Sequence, residues 1–315
     1  MVQIVLVGIG AGLASALMFV SPFGGTLLAL PLFVLAALPI AIAGLAWGSL
    51  AAAIAALAAA ATIGLAIAPP AGAIHLALFG VPMAWCCRLV WLSRTDESTG
   101  AVEWFPIGRI LLHGAAATAL GLIVVGFIIG YDPQAMTTEI TAALAEWLAE
   151  APDGGPPPTA AELEPFVRFN VVAMPFTTGT LLVIIFVLNL WLGARIAEAS
   201  GRLARPRERL WTAVIPTEAV PVFVVAAIAA LLPSAFGYAS GAVAGAFGGA
   251  LALIGLAVIH ATTLENVMRV LILTSVYVVL VFFGGLPIIL LTFLGIAEVF
   301  FQFRARRFRG APPPT

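Results

Sequence analysis

Long apolar stretches separated by short polar breaks dominate this chain. Runs of about 20 apolar residues are long enough to cross a hydrocarbon layer as helices. On that rule the chain predicts spans near 3–20, 25–43, 45–67, 71–92, 107–130, 169–194, 211–232, 238–260, 268–283 and 287–303. The runs lack strand-like alternation and are too long for barrel strands. A helix, by contrast, satisfies its backbone polar groups within one segment. The expected fold is therefore all-α: a polytopic transmembrane helical bundle of about ten spans, with eight as the alternative count. The count is least constrained at 21–67, where Pro22, Pro31 and Pro39 fit one span or a re-entrant pair. It is also open at 268–303, where a turn at Gly284-Gly285-Leu286-Pro287 leaves two short spans.

The polar breaks add direction. All 14 basic residues are arginine. Arg88, Arg94 and Arg109 flank the first break; Arg195, Arg202, Arg205, Arg207 and Arg209 the second; Arg304, Arg306, Arg307 and Arg309 close the chain. Arg269 marks a smaller break. Short cytoplasmic loops retain arginine, which places 93–106, 195–210 and 304–309 in the cytoplasm of a bacterial inner membrane, with both termini inside. The acidic loop 131–168, with only Arg168, is then extracytoplasmic. It joins halves 1–130 and 169–303 of one transmembrane domain, 1–303, which is followed by a basic, then proline-rich tail at 304–315. Within the loop, Thr137 or Thr138 is expected to cap an amphipathic helix running to Glu150. Ile140, Leu144, Trp147 and Leu148 share one face, and Glu139, Glu146 and Glu150 the other. Ala151 to Pro158 reads as a linker.

Composition agrees: 62% of residues are hydrophobic and 9% charged, with a mean hydropathy of +1.13. A soluble domain carries about 25% charged residues. No basic patch is interleaved with aromatics, so nucleic acid is not an expected partner. Cys86 and Cys87 are adjacent, which suits neither a disulfide framework nor a CxxC metal site; they read as small buried hydrophobes. The start, Met1-Val2-Gln3, lacks a basic region, so the first helix is expected to stay. Small residues recur at four-residue spacing, at Gly8 and Gly12, Gly44 and Gly48, Gly126 and Gly130, and Gly241 and Gly245. That spacing lets helix backbones approach closely in lipid.

Ionisable groups within apolar runs are functional candidates. Glu218 stands in Ile215-Pro216-Thr217-Glu218-Ala219-Val220-Pro221, about 12 Å into its expected span. With Thr217, Pro216 and Pro221 it forms the substrate- or ion-binding candidate, a carboxylate beside a proline-broken helix. A second polar cluster near the cytoplasmic face comprises His260, Glu265, Arg269, Glu298 and Gln302, in which Glu298 and Arg269 are expected to pair. Arg109 and His113 lie one turn apart, with Arg109 snorkelling to the interface. His75 stands alone, and Asn170 and Asn189 read as interhelical hydrogen-bonders. P-loop, HExxH and GxSxG patterns are missing, as is any recognisable metal site. The chain reads as a non-enzyme without cofactor or metal.

The C-terminal Gly255-Leu256-Ala257-Val258-Ile259-His260-Ala261-Thr262, then Leu294-Gly295-Ile296-Ala297-Glu298 and Phe303-Arg304-Ala305-Arg306-Arg307, resemble the YybS-like family of bacterial multi-pass inner-membrane proteins. Members often carry Asp at the position of Glu298, and the family implies no particular activity. Pro31-Leu32-Phe33 to Ala43-Gly44-Leu45-Ala46-Trp47-Gly48 is loosely similar to substrate-binding subunits of energy-coupling-factor vitamin transporters and to the cell-shape protein MreD. The favoured reading is a small-molecule binding or transport module lacking its own nucleotide site, with the lipid bilayer and an ATPase or other membrane protein as partners. The alternative is a non-catalytic scaffold for envelope or cell-shape proteins.

Overall fold

The computed structural model describes residues 1–25, 27–150, 157–206 and 209–307. Most of the expected linker, Arg207, Arg309 and the proline-rich end of the tail lie outside the described residues. The helices are α1 (Val2–Val20), α2 (Ala29–Val34), α3 (Leu38–Trp47), α4 (Ser49–Ala66), α5 (Pro69–His75), α6 (Val81–Val90) and α7 (Ile107–Ile129). They continue as α8 (Pro133–Ala149), α9 (Ala160–Ala199), α10 (Ala219–Ala229), α11 (Ala235–Thr262), α12 (Arg269–Phe283), α13 (Gly285–Phe301) and α14 (Phe303–Arg307). The first Arg-rich break, expected as a loop, forms a small antiparallel hairpin of β1 (Ser93–Thr95) and β2 (Val102–Trp104).

Among the described residues, 7 helical segments are long and apolar enough to cross a membrane, counting α2–α3 and α5–α6 as one each. The expected spans 211–232, 268–283 and 287–303 appear instead as helices of 11, 15 and 17 residues. At 1.5 Å per residue these reach about 16, 22 and 26 Å, short of the roughly 30 Å hydrocarbon core. In the other direction, α9 has 40 residues and extends for about 60 Å. The loop expected over 131–168 is thus largely helical. Its α8 starts at Pro133, earlier than expected, because the Asp132 side chain accepts hydrogen bonds from the Gln134 and Ala135 N–H groups. α8 lies on the start of α9 through Thr137 and Thr141, both buried, while Ile140 and Trp147 of the expected apolar face are exposed.

Proline placement explains several boundaries. Proline lacks a donor and crowds the carbonyl four residues earlier. Pro175 inside α9 leaves the Val171 carbonyl without its helical donor, and the Tyr131 hydroxyl donates to it at 2.6 Å. Burial beside Tyr238 pushes the Tyr131 hydroxyl up to about 12, so it keeps that proton. Pro82 follows a π turn at Leu76–Gly80, where the Val81 N–H reaches back to the Leu76 carbonyl. The wider turn relieves crowding at Leu78. Pro216 forces Ile215 towards extended backbone, and Pro221 falls in the first turn of α10, where a missing N–H costs nothing. These two prolines therefore start a helix and do not break one.

α11 is the most enclosed span and packs against α7, α9, α10 and α13. It crosses α13 in parallel: a Cβ on Gly255 would lie 2.0 Å from the Leu291 carbonyl oxygen, and one on Gly295 1.9 Å from that of Leu251. A side chain at either position would force the two helices apart. The four-residue glycine spacing plays two roles. Gly8 and Gly12 meet α4, Gly44 meets Cys87 and Gly245 meets the Phe176 carbonyl. Gly48, at φ +97°, instead turns the chain between α3 and α4, a conformation open to glycine.

The three Arg-rich segments converge on one end of the bundle. Arg205 donates to the Phe105 carbonyl, Arg304 to that of Trp211 and Arg307 to that of Leu264. Arg202 lies over the Trp47 ring at 4.6 Å.

Substitution tests the crossing. Gly255→Leu should lower the apparent melting temperature in detergent markedly, in keeping with overpacking costs of about 1–3 kcal/mol. Gly10→Ala, in open space within α1, should be neutral or slightly stabilising by the roughly 1 kcal/mol helix preference of Ala over Gly. A thermal-shift assay of the two variants reads both signs.

Candidate functional site

The most distinctive polar locus lies where the second span breaks. Between α2 and α3 the chain makes tight turns: the Leu38 N–H bonds the Leu35 carbonyl, which deprives Val34 of its helical donor. Asn189 of α9 supplies one, its amide donating to the Val34 carbonyl at 2.8 Å and to the Ile185 carbonyl at 2.7 Å. Ser15 of α1 donates to the Ala36 carbonyl at 2.6 Å. Having used its only proton there, its oxygen accepts from His75 Nε2 at 2.9 Å. That assigns the His75 proton to Nε2 and leaves Nδ1 as a bare acceptor.

Ser15, His75 and Asn189 are each fully buried. His75 Nδ1 and Asn189 Oδ1 have no hydrogen-bond partner among the described residues. Phe19 meets the His75 ring edge-on at 5.1 Å, Phe79 stacks on it at 5.9 Å, and Phe33 closes against both phenylalanines. Between this cluster and α9 is a cavity of about 10 Å³ lined by Ala37, Leu78, Phe79, Leu182, Ile185 and Phe186, close to the room one water needs. Both buried acceptors are left without a donor among the described residues, and each belongs to a residue tied directly or through Ser15 to the α2–α3 break. His75, expected to stand alone, is thus the centre of the cluster. Asn189 is the interhelical donor expected, whereas Asn170 bonds only the Phe166 carbonyl of its own helix. Ser15 was legible only as a hydroxyl in an apolar run.

Glu218 is not embedded within a helix as expected. It caps the start of α10, is exposed, and its side chain makes no cap bond. Thr217 is exposed and Pro216 half-buried beside it. Pro221 lines an open groove of about 500 Å³ between α10 and α11 whose walls are apolar except for Ser240. The physical reason is the start imposed by Pro216.

The second cluster is divided. Glu298 pairs with Arg304 at 2.8 Å, not with Arg269, and both partners are buried. Gln302, one turn past Glu298, adopts a left-handed conformation at φ +50° and ends α13, turning Arg304 back onto the carboxylate. Arg269 instead donates to the His260 carbonyl and to Thr263 Oγ1 at the end of α11. His260 Nε2 meets the Tyr277 hydroxyl at 2.9 Å, and Glu265 is an exposed turn residue at φ +66°. Cys86 and Cys87 are buried free thiols, as read from their setting. Among the described residues no three His, Cys, Asp or Glu side chains converge on a metal position.

These features define the chain as a membrane-embedded helical protein. No protein-family model matches it, nor does any curated protein or solved structure.

Two measurements follow from this geometry. Removing one partner of the Glu298–Arg304 pair should cost about 3–5 kcal/mol, because a lone charge stays buried. A double-mutant cycle should show strong coupling for Glu298 with Arg304 and none with Arg269. For the other locus, ¹⁵N NMR of a protein carrying His113→Gln and His260→Gln should show His75 protonated on Nε2 alone at neutral pH. Ser15→Ala should remove that tautomer preference.

Proposed function

We propose that the chain is a small-solute binding or transport module of the bacterial inner membrane, with both termini cytoplasmic, and that its site lies at the broken second span. The observation that carries this reading is the meeting of an interrupted helix, a π turn and two unpaired buried acceptors, His75 Nδ1 and Asn189 Oδ1. Transporters use discontinuous helices near mid-membrane to hold ions and substrates. π turns within α-helices also recur at functional positions. Acceptors without an acid suit a proton, an ammonium group or another donor-rich solute. Glu218, exposed at the foot of α10, suits a first contact with a cationic solute, with Thr217, Pro216 and Pro221 shaping that turn.

The absence of a P-loop pattern favours dependence on an ATPase partner or an ion gradient. The likeness to the YybS-like family, and the looser one to energy-coupling-factor subunits, belong to the same proposal. The scaffold reading is favoured by one observation: the cavity beside this locus is lined by apolar side chains, among them Phe79 and Ile185, and measures only about 10 Å³.

Gentle affinity purification from native membranes, followed by mass spectrometry of proteins and metabolites, separates the two. The transport reading expects one solute in stoichiometric amount, or an ATPase, and loss of the solute in a folded His75→Gln variant. Recovery of envelope-building proteins without solute, unchanged by His75→Gln, would overturn it in favour of the scaffold.

A further inference from the structure

We propose that the α6–α7 edge is a binding site for an anionic phospholipid, its phosphate held by Arg88 and Arg109 and its acyl chains lying along the apolar residues beyond them. The two helices are antiparallel neighbours: Trp85 and His113 face each other at 6.2 Å, and Cys86 Sγ lies 3.8 Å from the Ile110 carbonyl oxygen. Arg88 is one turn beyond Trp85, and Arg109 one turn before His113. Because the helices run in opposite directions, both steps lead to the same end of the bundle, the Arg-rich one.

Each arginine closes an outward stripe. On α6, Val81, Trp85 and Arg88 follow helical spacing and all are exposed; exposed Leu92 lies past the end of the helix. On α7 the stripe is Arg109, half-buried His113, then exposed Ala116 and Leu120. Both stripes change from apolar to cationic at the same level, the profile of a lipid with its headgroup at that end.

Most other described arginines are engaged, Arg168 and Arg306 being the exceptions. Arg94, Arg195 and Arg304 meet carboxylates, while Arg205, Arg269 and Arg307 meet carbonyls. Neither Arg88 nor Arg109 has a polar partner among the described residues. Two cations at a membrane boundary need a counter-charge, and basic pockets between helices bind anionic headgroups. The apolar flanks select a lipid over a free anion. Trp85 suits the interface, where indole rings concentrate.

The test is native mass spectrometry of the purified protein with phosphatidylglycerol or phosphatidylcholine. Wild type should retain the anionic lipid preferentially, and Arg88→Gln with Arg109→Gln should reduce that retention on the order of 10-fold. Arg94→Gln should change nothing. Equal retention by the double variant would overturn the proposal. So would competition of the anionic lipid by inorganic phosphate at equal concentration, which would assign the site to a free anion. If the double variant does not fold, photoactivatable phosphatidylglycerol on the wild type decides. Cross-links to 81–92 and 107–120 support the proposal, and cross-links elsewhere only would overturn it.

Discussion

Hydrocarbon offers no hydrogen bonds, so a carbonyl released within a membrane bundle must find its donor in the protein. Much of this structure follows from that constraint. The Val171 carbonyl, released by Pro175, takes the Tyr131 hydroxyl. The Val34 and Ala36 carbonyls at the α2–α3 break take Asn189 and Ser15. At the Arg-rich end the Phe105, Trp211 and Leu264 carbonyls take arginine. Each such bond joins elements far apart in the chain, and so repair of a local backbone defect becomes a tertiary tie.

The second requirement is contact, since lipid gives helices little hydrophobic reason to associate. α11 meets it with small residues that bring its backbone against α9 and α13 at carbonyl distance. Tight crossings leave little interior space, which explains why the polar cluster around His75 is enclosed and why a sizeable groove lies at the edge, beside short α10. The same shortage of space makes the buried Glu298–Arg304 pair a constraint on the end of α13: neither charge has water to retreat to.

Comparison of particular residues shows where sequence reasoning reaches. Glu218 attracted attention as a carboxylate between two prolines. Whether a proline breaks a helix or begins one depends on where the preceding segment goes, and here 211–218 runs outside α10 against α7. Glu298 was rightly expected to pair, but the partner was misassigned. A left-handed residue at Gln302 brings Arg304 back within six residues, and no apolar pattern signals such a reversal. His75 was visible as a lone histidine. Its partners come from α1, the α2–α3 break and the π turn, which only packing unites.

The sequence by itself determined the helical class, most of the spans, the gathering of arginines, the buried cysteines and the closing turn at Gly284. These depend on local quantities: run length, charge and residue size. Only the tertiary structure decided that α9 reaches far beyond membrane thickness, that three expected spans are short, and that Ser15, His75 and Asn189 gather at the α2–α3 break. Those outcomes depend on which distant donor reaches which released carbonyl, and that is set by helix packing in three dimensions.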